Sequence, residues 1–402
     1  MYLLLPPAHA AILSTLFASP QAARTLTVVS ETTDLREAVV RFSMPAPRDF
    51  AGVQIRQQDH VIPAQASVTD GNAEITFLVS DLKKGVPQQF RLLVDKTGRP
   101  VPTSGVIVEK RGQDVDVRIN QQLFFTYNTS IGPNKSYLFP IFGPGGRQMV
   151  RNYPIKTGVP GETSDHPHHR GLWFTHGEVN GADFWMEGEG RAGRQVHTGF
   201  PSITSGSVFG RLVATSDWVK PDGRKIAEDR RELTVYNVRH GRVLDYTITV
   251  KALDEPLHFG DTKEGSFGMR VPDSMRQKGG VGSILTSKGI RDAAAWGTRA
   301  EWVDYYGTVE GSTQGVAIMD HPGNLRHPTY WHVRDYGLFA ANPFGIHDFV
   351  KGTPKGEGDH VVPAKGSLTL RYRVFFHEGD TTSAGVAEVW AAFANPPKVE
   401  LK

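Results

Sequence analysis

The chain of 402 residues contains no cysteine, which excludes disulfides, thiolate metal sites, iron–sulfur clusters and a cysteine nucleophile. No run of about 18 consecutive apolar residues occurs, so no membrane-spanning helix is expected. Neither charge dominates: 45 Lys and Arg stand against 42 Asp and Glu, and a net charge of +3 forms no basic stripe for nucleic acid. The glycine-rich stretch Pro140–Gly146 has neither the Lys-Ser/Thr ending of a P-loop nor the G-x-G-x-x-G spacing, which argues against nucleotide binding. A Gly-x-Ser-x-Gly elbow for a serine hydrolase is missing as well. So is an internal repeat of roughly 40–50 residues, which a closed propeller would need.

What the chain does have is turns and short strands. It holds 43 glycines and 26 prolines, with 39% hydrophobic and 22% charged residues, a globular balance rich in chain reversals. Residues 1–24 include a short apolar core, Ala8–Phe17, and read as an export signal. The location implied is periplasmic or extracellular, while the alternative, a disordered tail, leaves the cytoplasm open. Residues 25–104 alternate β-like runs such as Thr25–Ser30, Glu37–Ser43 and Glu74–Val79 with turns at Asp70-Gly71 and Lys84-Gly85. This predicts a small immunoglobulin-like β-sandwich. Residues 105–402 continue with longer strands. In Ser367–Phe376, Leu368, Leu370, Tyr372, Val374 and Phe376 share one parity, as a half-buried strand requires. Many such runs without intervening helices predict an all-β chain with a large two-sheet antiparallel sandwich. One helix is expected over 383–395, where Val386, Val389, Trp390 and Phe393 recur at helical spacing before Asn395-Pro396-Pro397.

The chemistry concentrates in four segments. In Asp165–Gly177, four of the 15 histidines fall within eleven positions, next to Arg170 and Trp173. In an extended chain His166, His168 and Arg170 share one face, and such a face is aimed at a ligand or water because burying it unpaired is costly. Imidazole exchanges protons near neutral pH, and a guanidinium holds carboxylate or sugar oxygens through several donors. The plainer reading is an internal hydrogen-bonded network. His166-x-His168 is also two-ligand metal spacing, with a third ligand needed from His176, His197, His258 or His332, so a divalent metal stays open. Next, Asp183 and Glu187 flank Phe184 and Trp185. Carboxylates bind hydroxyls and aromatic faces suit the C–H side of a sugar, although Trp173 and Trp185 are equally at home in a core. Third, Phe259–Val271 sets Asp261, Lys263 and Glu264 between glycines, a pattern of irregular strand near a ligand. Fourth, His332, Arg334 and Tyr336 alternate onto one face.

Six stretches in order, Tyr137–Gly146, Asp165–Trp185, Asp261–Val271, Trp302–Gly307, His332–Gly345 and Tyr372–Asp380, resemble the PmoA-like family of bacterial proteins of unknown function. The resemblance spans about Val106 to Pro397 and leaves Thr25–Pro102 outside. The label "methane oxygenase" attached to that family fails a physical test, since a methane monooxygenase subunit must cross the membrane and this chain has no spanning segment. The resemblance instead implies a galactose mutarotase-like supersandwich from carbohydrate-degrading bacteria, whose genes accompany sugar-oxidising dehydrogenases. It supplies no site residues.

From residue chemistry alone, the expected function is a carbohydrate-active enzyme working on a glycoside or an oxidised sugar by hydrolysis, elimination or epimerisation. His166 or His168 is the expected acid–base group, with Glu264 or Asp183 as its carboxylate partner. Arg170 and Arg334, with Lys263, His176 and His332, are expected to bind substrate, and Trp173 or Trp185 to form the platform. A non-catalytic glycan-binding protein using the same cleft is the alternative.

Overall fold

The computed structural model describes residues 24–96, 104–129, 134–188 and 190–402; the N-terminal stretch read as an export signal lies outside the described residues, up to its last residue, Arg24. The chain is built almost wholly of antiparallel strands. The all-β class and the large two-sheet sandwich expected from the sequence are what is observed. Among the described residues no helix is long and apolar enough to cross a membrane.

Two eight-stranded sheets form the large sandwich. The first runs, in spatial order, Tyr330–Val333, Leu338–Asn342, Gly265–Arg270, Leu172–His176, Tyr137–Ile141, Gln122–Asn128, Asp114–Ile119 and Val106–Arg111. The second runs Arg194–Thr204, Phe209–Val219, Lys225–Tyr236, Arg242–Ala252, Ser367–Glu378, Ser312–Asp320, Trp302–Val309 and Ser283–Thr286. Their facing sides interlock through aromatic rings. Phe267 lies 4.9 Å from Tyr246 and 4.7 Å from Tyr372, and Phe174 meets Trp218 at 6.4 Å. Each ring comes from an inward position of a period-2 strand, so the alternation in the sequence dictates which face is core.

Strand Leu172–His176 is buried at all five positions. Leu172 and Phe174 point into the sandwich, and Trp173 and Thr175 occupy the opposite face. That face is roofed by the loops on either side of this strand and by the loop after Val333. The candidate site is built there.

The small sandwich pairs a three-stranded sheet (Leu35–Pro45, Asn72–Leu82, Ala64–Thr69) with a five-stranded one. Its outermost strand is Lys398–Leu401, which pairs with Arg24–Val29 in the register Leu26↔Leu401 and Val28↔Val399. Residues 25–104 therefore do not close this unit alone, and the 105–402 segment does not end within the large sandwich. The final strand is short and carries only two apolar residues, too weak a pattern to reveal a partner nearly 400 residues away. The expected helix forms as Val386–Ala394, preceded by a turn of helix at Thr381–Ala384 whose cap is Asp380. Gly385, at φ +69, makes the break between them, a conformation that costs any other residue dearly. The helix does more than cover a sheet edge. Val386 and Val389 join Trp302, Met319 and Phe375 on the back of the second sheet, while Ala391 and Ala392 enter the core of the small sandwich.

Candidate functional site

Strand Gly265–Arg270 places Ser266, Gly268 and Arg270 on the roofed face, in register with Thr175, Trp173 and the turn at Gly171. Gly171 sits at φ +55 with its α-carbon against the Leu138 carbonyl, where a Cβ would collide. This tight passage is what delivers the preceding histidines onto the sheet.

Four rings stack in sequence. Tyr336 lies on His166 at 5.1 Å and 5°, His166 on His169 at 4.9 Å and 6°, and His169 on Trp173 at 5.3 Å and 21°. His168 packs edge-on to His169 at 4.5 Å. The stack runs from half-buried to fully buried. His166 is 40% exposed at its side chain, whereas His168 and His169 are buried. Burial foremost, with the nearby Lys135 charge, holds the His168 imidazole down to about 3, and burial keeps His169 well below its ordinary value. Both are neutral bases at physiological pH. His166 also departs from ordinary backbone geometry, at φ +47, a region that costs a non-glycine residue about 1 kcal/mol and that is retained where surroundings fix it.

Charges surround this stack. Asp165 accepts hydrogen bonds from Arg151 and, at 2.8 Å, from Arg270, both buried guanidiniums, and its second oxygen lies 3.1 Å from His166 Nδ1. Burial raises the Asp165 carboxyl, but the charges of Arg270 and Arg151 outweigh it and the group titrates at about 2. Arg270 also reaches His169 Nδ1 at 3.3 Å and covers the Tyr336 ring at 4.7 Å. A second buried set lies below: Glu187 takes 2.9 Å contacts from Arg170 and from Lys135, whose ammonium is fully enclosed over Trp173. Burial pushes Glu187 up, and the two cations together bring it below its ordinary value.

The third and fourth segments meet beside the stack. Arg334 lies 5.6 Å from both the Tyr336 and Trp296 rings. Trp296 borders His332, and His332 Nδ1 is bonded to the Lys263 carbonyl at 2.8 Å. Lys263 and Glu264 form a half-buried ion pair of 2.8 Å. Burial raises the Tyr336 hydroxyl, outweighing the charges of Arg334 and Arg270, which lower it. Tyr336 thus joins His166 to Arg334, while Lys263 and Glu264 lie beside His332.

Other expected residues take different positions. His176 is completely buried, with Nε2 2.7 Å from the Gly260 carbonyl and its ring against Phe344, and burial lowers it to about 4. His332 is likewise buried and lowered to about 3. Asp183 accepts from the backbone N–H groups of Trp185 and Met186 at 2.8 and 2.9 Å, a turn-closing carboxylate rather than a partner for His166. Arg170 is spent on Glu187. Trp173 and Trp185 are not platforms: both are fully buried 5.3 Å apart beneath the histidines, with neither face open. The physical reason is common to all. Period-2 parity identifies which residues share a face, but a roof of loops buries a face that would otherwise be wet. The half-buried aromatic surfaces are Tyr336 and Trp296 instead. Arg151, Lys135 and Arg270 were missed by motif. For Arg270, parity with Ser266 and Gly268 was the available signal; Arg151 and Lys135 stand alone in apolar or turn sequence.

The residues do not fit a divalent metal. No group of three or more His, Asp or Glu among the described residues converges as a metal would need, so the His166 and His168 pair lacks its third ligand.

Comparison with known proteins corrects the sequence-derived resemblance: the family that matches, over residues 114–391, is a family of unknown function (DUF6807), and nothing supports the PmoA-like name. A mycothiol acetyltransferase from Amycolatopsis mediterranei (strain U-32) is 27% identical over 202 residues, 48% of this chain and 63% of that protein, so the chain spans less than two thirds of this relative's length. Among solved structures, a glycosyl hydrolase family 38 protein from Enterococcus faecalis aligns with TM-score 0.38 at 11% identity, covering 94% of this chain and 47% of that one. A galactose mutarotase-like protein from Lactobacillus casei ATCC 334 aligns with TM-score 0.35 at 11% identity, over 68% of this chain and 100% of that one. Overlaps this loose carry no functional argument.

Proposed function

Since the chain belongs to the family of unknown function DUF6807, membership brings no activity with it, and we propose from the site itself that the protein is a carbohydrate-active enzyme working on an oxidised, carboxylate-bearing sugar. The observation that carries the reading is the Asp165–His166 pair. It combines a solvent-accessible imidazole, an ionised carboxylate at 3.1 Å and an unusual backbone conformation, beside three guanidiniums. Buried neutral histidines serve a fold, whereas an exposed one poised beside a carboxylate serves proton transfer.

In this reading the sugar carboxylate faces Arg334, and its ring lies along Trp296, since His166 and Arg270 already cover the Tyr336 ring. His166 removes the proton from the carbon next to that carboxylate. The C–H electron pair moves onto the carboxylate oxygens, where the guanidinium stabilises the charge. Tyr336, kept protonated by burial, then supplies a proton. Delivered to the leaving oxygen as the adjacent C–O bond breaks, it completes an elimination; delivered to the carbon, it completes an epimerisation. His166 then releases its proton to solvent and Tyr336 regains one from solvent, which restores both groups. Lys263 and Glu264 border the opposite edge and are assigned to hydroxyl groups.

The test is proton NMR of the purified protein against uronate-bearing glycosides and 3-keto sugars. New product signals that fall roughly 10²–10⁴-fold in His166→Ala, with an unchanged melting temperature, are expected. Full turnover in His166→Ala would sink the reading. Line broadening without product would move the protein to the non-catalytic glycan-binding class.

A further inference from the structure

A cleft of about 660 Å³ opens where the small sandwich meets the large one, sharing no residue with the histidine site. Its walls include Arg36 from the small sandwich, and Arg239, Arg242, Gln122, His377 and Glu378 from the large one. Arg242 is only 6% exposed, yet its two defined hydrogen bonds go to neutral acceptors: Nε to the Gly143 carbonyl at 3.1 Å and Nη2 to the Gln122 amide oxygen at 2.9 Å. Gly143 belongs to the glycine-rich stretch that the sequence shows to be no nucleotide loop, so that stretch serves here to aim an arginine. Among the described residues Arg242 forms no ion pair, and burial lowers its proton affinity with no carboxylate acting against it.

The rest of the wall does not supply the missing charge. Glu378, its one carboxylate, is turned to Arg147 at 3.6 Å. Arg36 reaches Asp81 only loosely, at 3.7 Å, and Arg239 has no ion pair among the described residues. The histidines of the wall already have acids behind it, His377 on Asp304 at 3.1 Å and His240 on Glu37 at 2.9 Å. Three guanidiniums therefore face one carboxylate that is itself engaged. A larger cleft of about 1340 Å³ between the two sandwiches shows no such surplus, since its arginines, Arg41, Arg211, Arg371 and Arg373, share the walls with as many carboxylates, Glu74, Asp95, Glu232 and Asp245.

A buried guanidinium without a counter-ion is costly, and planar forked donors match carboxylate and phosphate oxygens. We propose that this cleft binds a small oxyanion, the carboxylate or phosphate group of a sugar-sized metabolite, with Arg242 as its central donor and Arg239 and Arg36 closing around it. The volume lies within the range of small-molecule sites, roughly 300–1,000 Å³.

The test is calorimetric titration of the full chain with inorganic phosphate and, separately, with glucuronate, both in an Arg334→Ala background so that the histidine site does not contribute. Saturable one-to-one binding of either anion is expected. Preference for phosphate would identify a phosphorylated ligand, and preference for glucuronate a sugar acid. Arg242→Gln should weaken that binding roughly 10- to 100-fold. Arg239→Ala, which removes an exposed side chain and keeps the backbone N–H that donates to Glu37, should weaken it severalfold and decides the matter if Arg242→Gln fails to fold. No saturable binding of either anion, or binding that these variants leave unchanged while still folded, overturns the proposal.

Discussion

Replacing Asp165 by Asn tests the electrostatics of the histidine site directly. The carboxylate titrates at about 2 against an ordinary value of 3.8. A folded-state value below the unfolded one contributes stability that is present above the unfolded value and is lost as pH falls through the folded value. The window is therefore from about pH 4 down to pH 2. At about 1.4 kcal/mol per unit the shift corresponds to about 2.5 kcal/mol. Because the Asp165 side chain is 42% exposed, solvent screening reduces this to about 1–1.5 kcal/mol. Asn is the neutral isostere, so the difference between wild type and Asp165→Asn isolates this one charge. Urea unfolding followed by tryptophan fluorescence should give a difference of about 1–1.5 kcal/mol at pH 7 that shrinks toward zero near pH 2. Acceptors that survive the substitution, the Asp165 and His166 carbonyls for Arg151 and His169 Nδ1 for Arg270, together with solvent at the Asp165 side chain, keep the loss in this modest range. A difference that persists unchanged at pH 2, or none at pH 7, would refute the reasoning.

Three further outcomes follow from the same geometry. Glu187→Gln leaves both the enclosed Lys135 ammonium and the largely buried Arg170 guanidinium uncompensated and should cost about 3–5 kcal/mol, while adding Lys135→Met removes the enclosed ammonium and should recover part of that loss, a non-additivity that a double-mutant cycle measures. Gly171→Ala forces a left-handed alanine into the Leu138 carbonyl and should destabilise by more than about 2 kcal/mol in the same unfolding assay. His168, His176 and His332 are lowered to about 3, 4 and 3, so their imidazole NMR signals should not titrate between pH 5 and 8. For these bases the unfolded chain takes up protons first, and stability should fall as pH drops below about 6.5, by up to about 1.4 kcal/mol per unit for each.

The parity of strand residues was enough to read the large sandwich. Leu370, Tyr372 and Val374 lie in the core because period-2 alternation has no other way to bury them. The same parity grouped His166 with Arg170 and His332 with Arg334, and it failed to say what those faces meet. His332 is sealed under the loop of Lys263, and Arg170 is neutralised by Glu187 from a loop seventeen residues later. Trp173 and Trp185 illustrate the limit best. An aromatic beside histidines and carboxylates reads equally as a sugar platform or as core, and only the roof over the sheet makes it core.

By itself the sequence determined the fold class, the crowding of histidines and arginines onto a few strands, and the absence of thiol chemistry, since these depend on local pattern and residue type. Tertiary structure alone decided that the C-terminal strand completes the N-terminal sandwich and that His166 keeps contact with solvent while its neighbours lose it. It alone left Arg242 facing a cleft whose one wall carboxylate, Glu378, is turned to Arg147. Those outcomes depend on which distant segments cover one another, and burial by a distant segment leaves no periodic trace in the residues it covers.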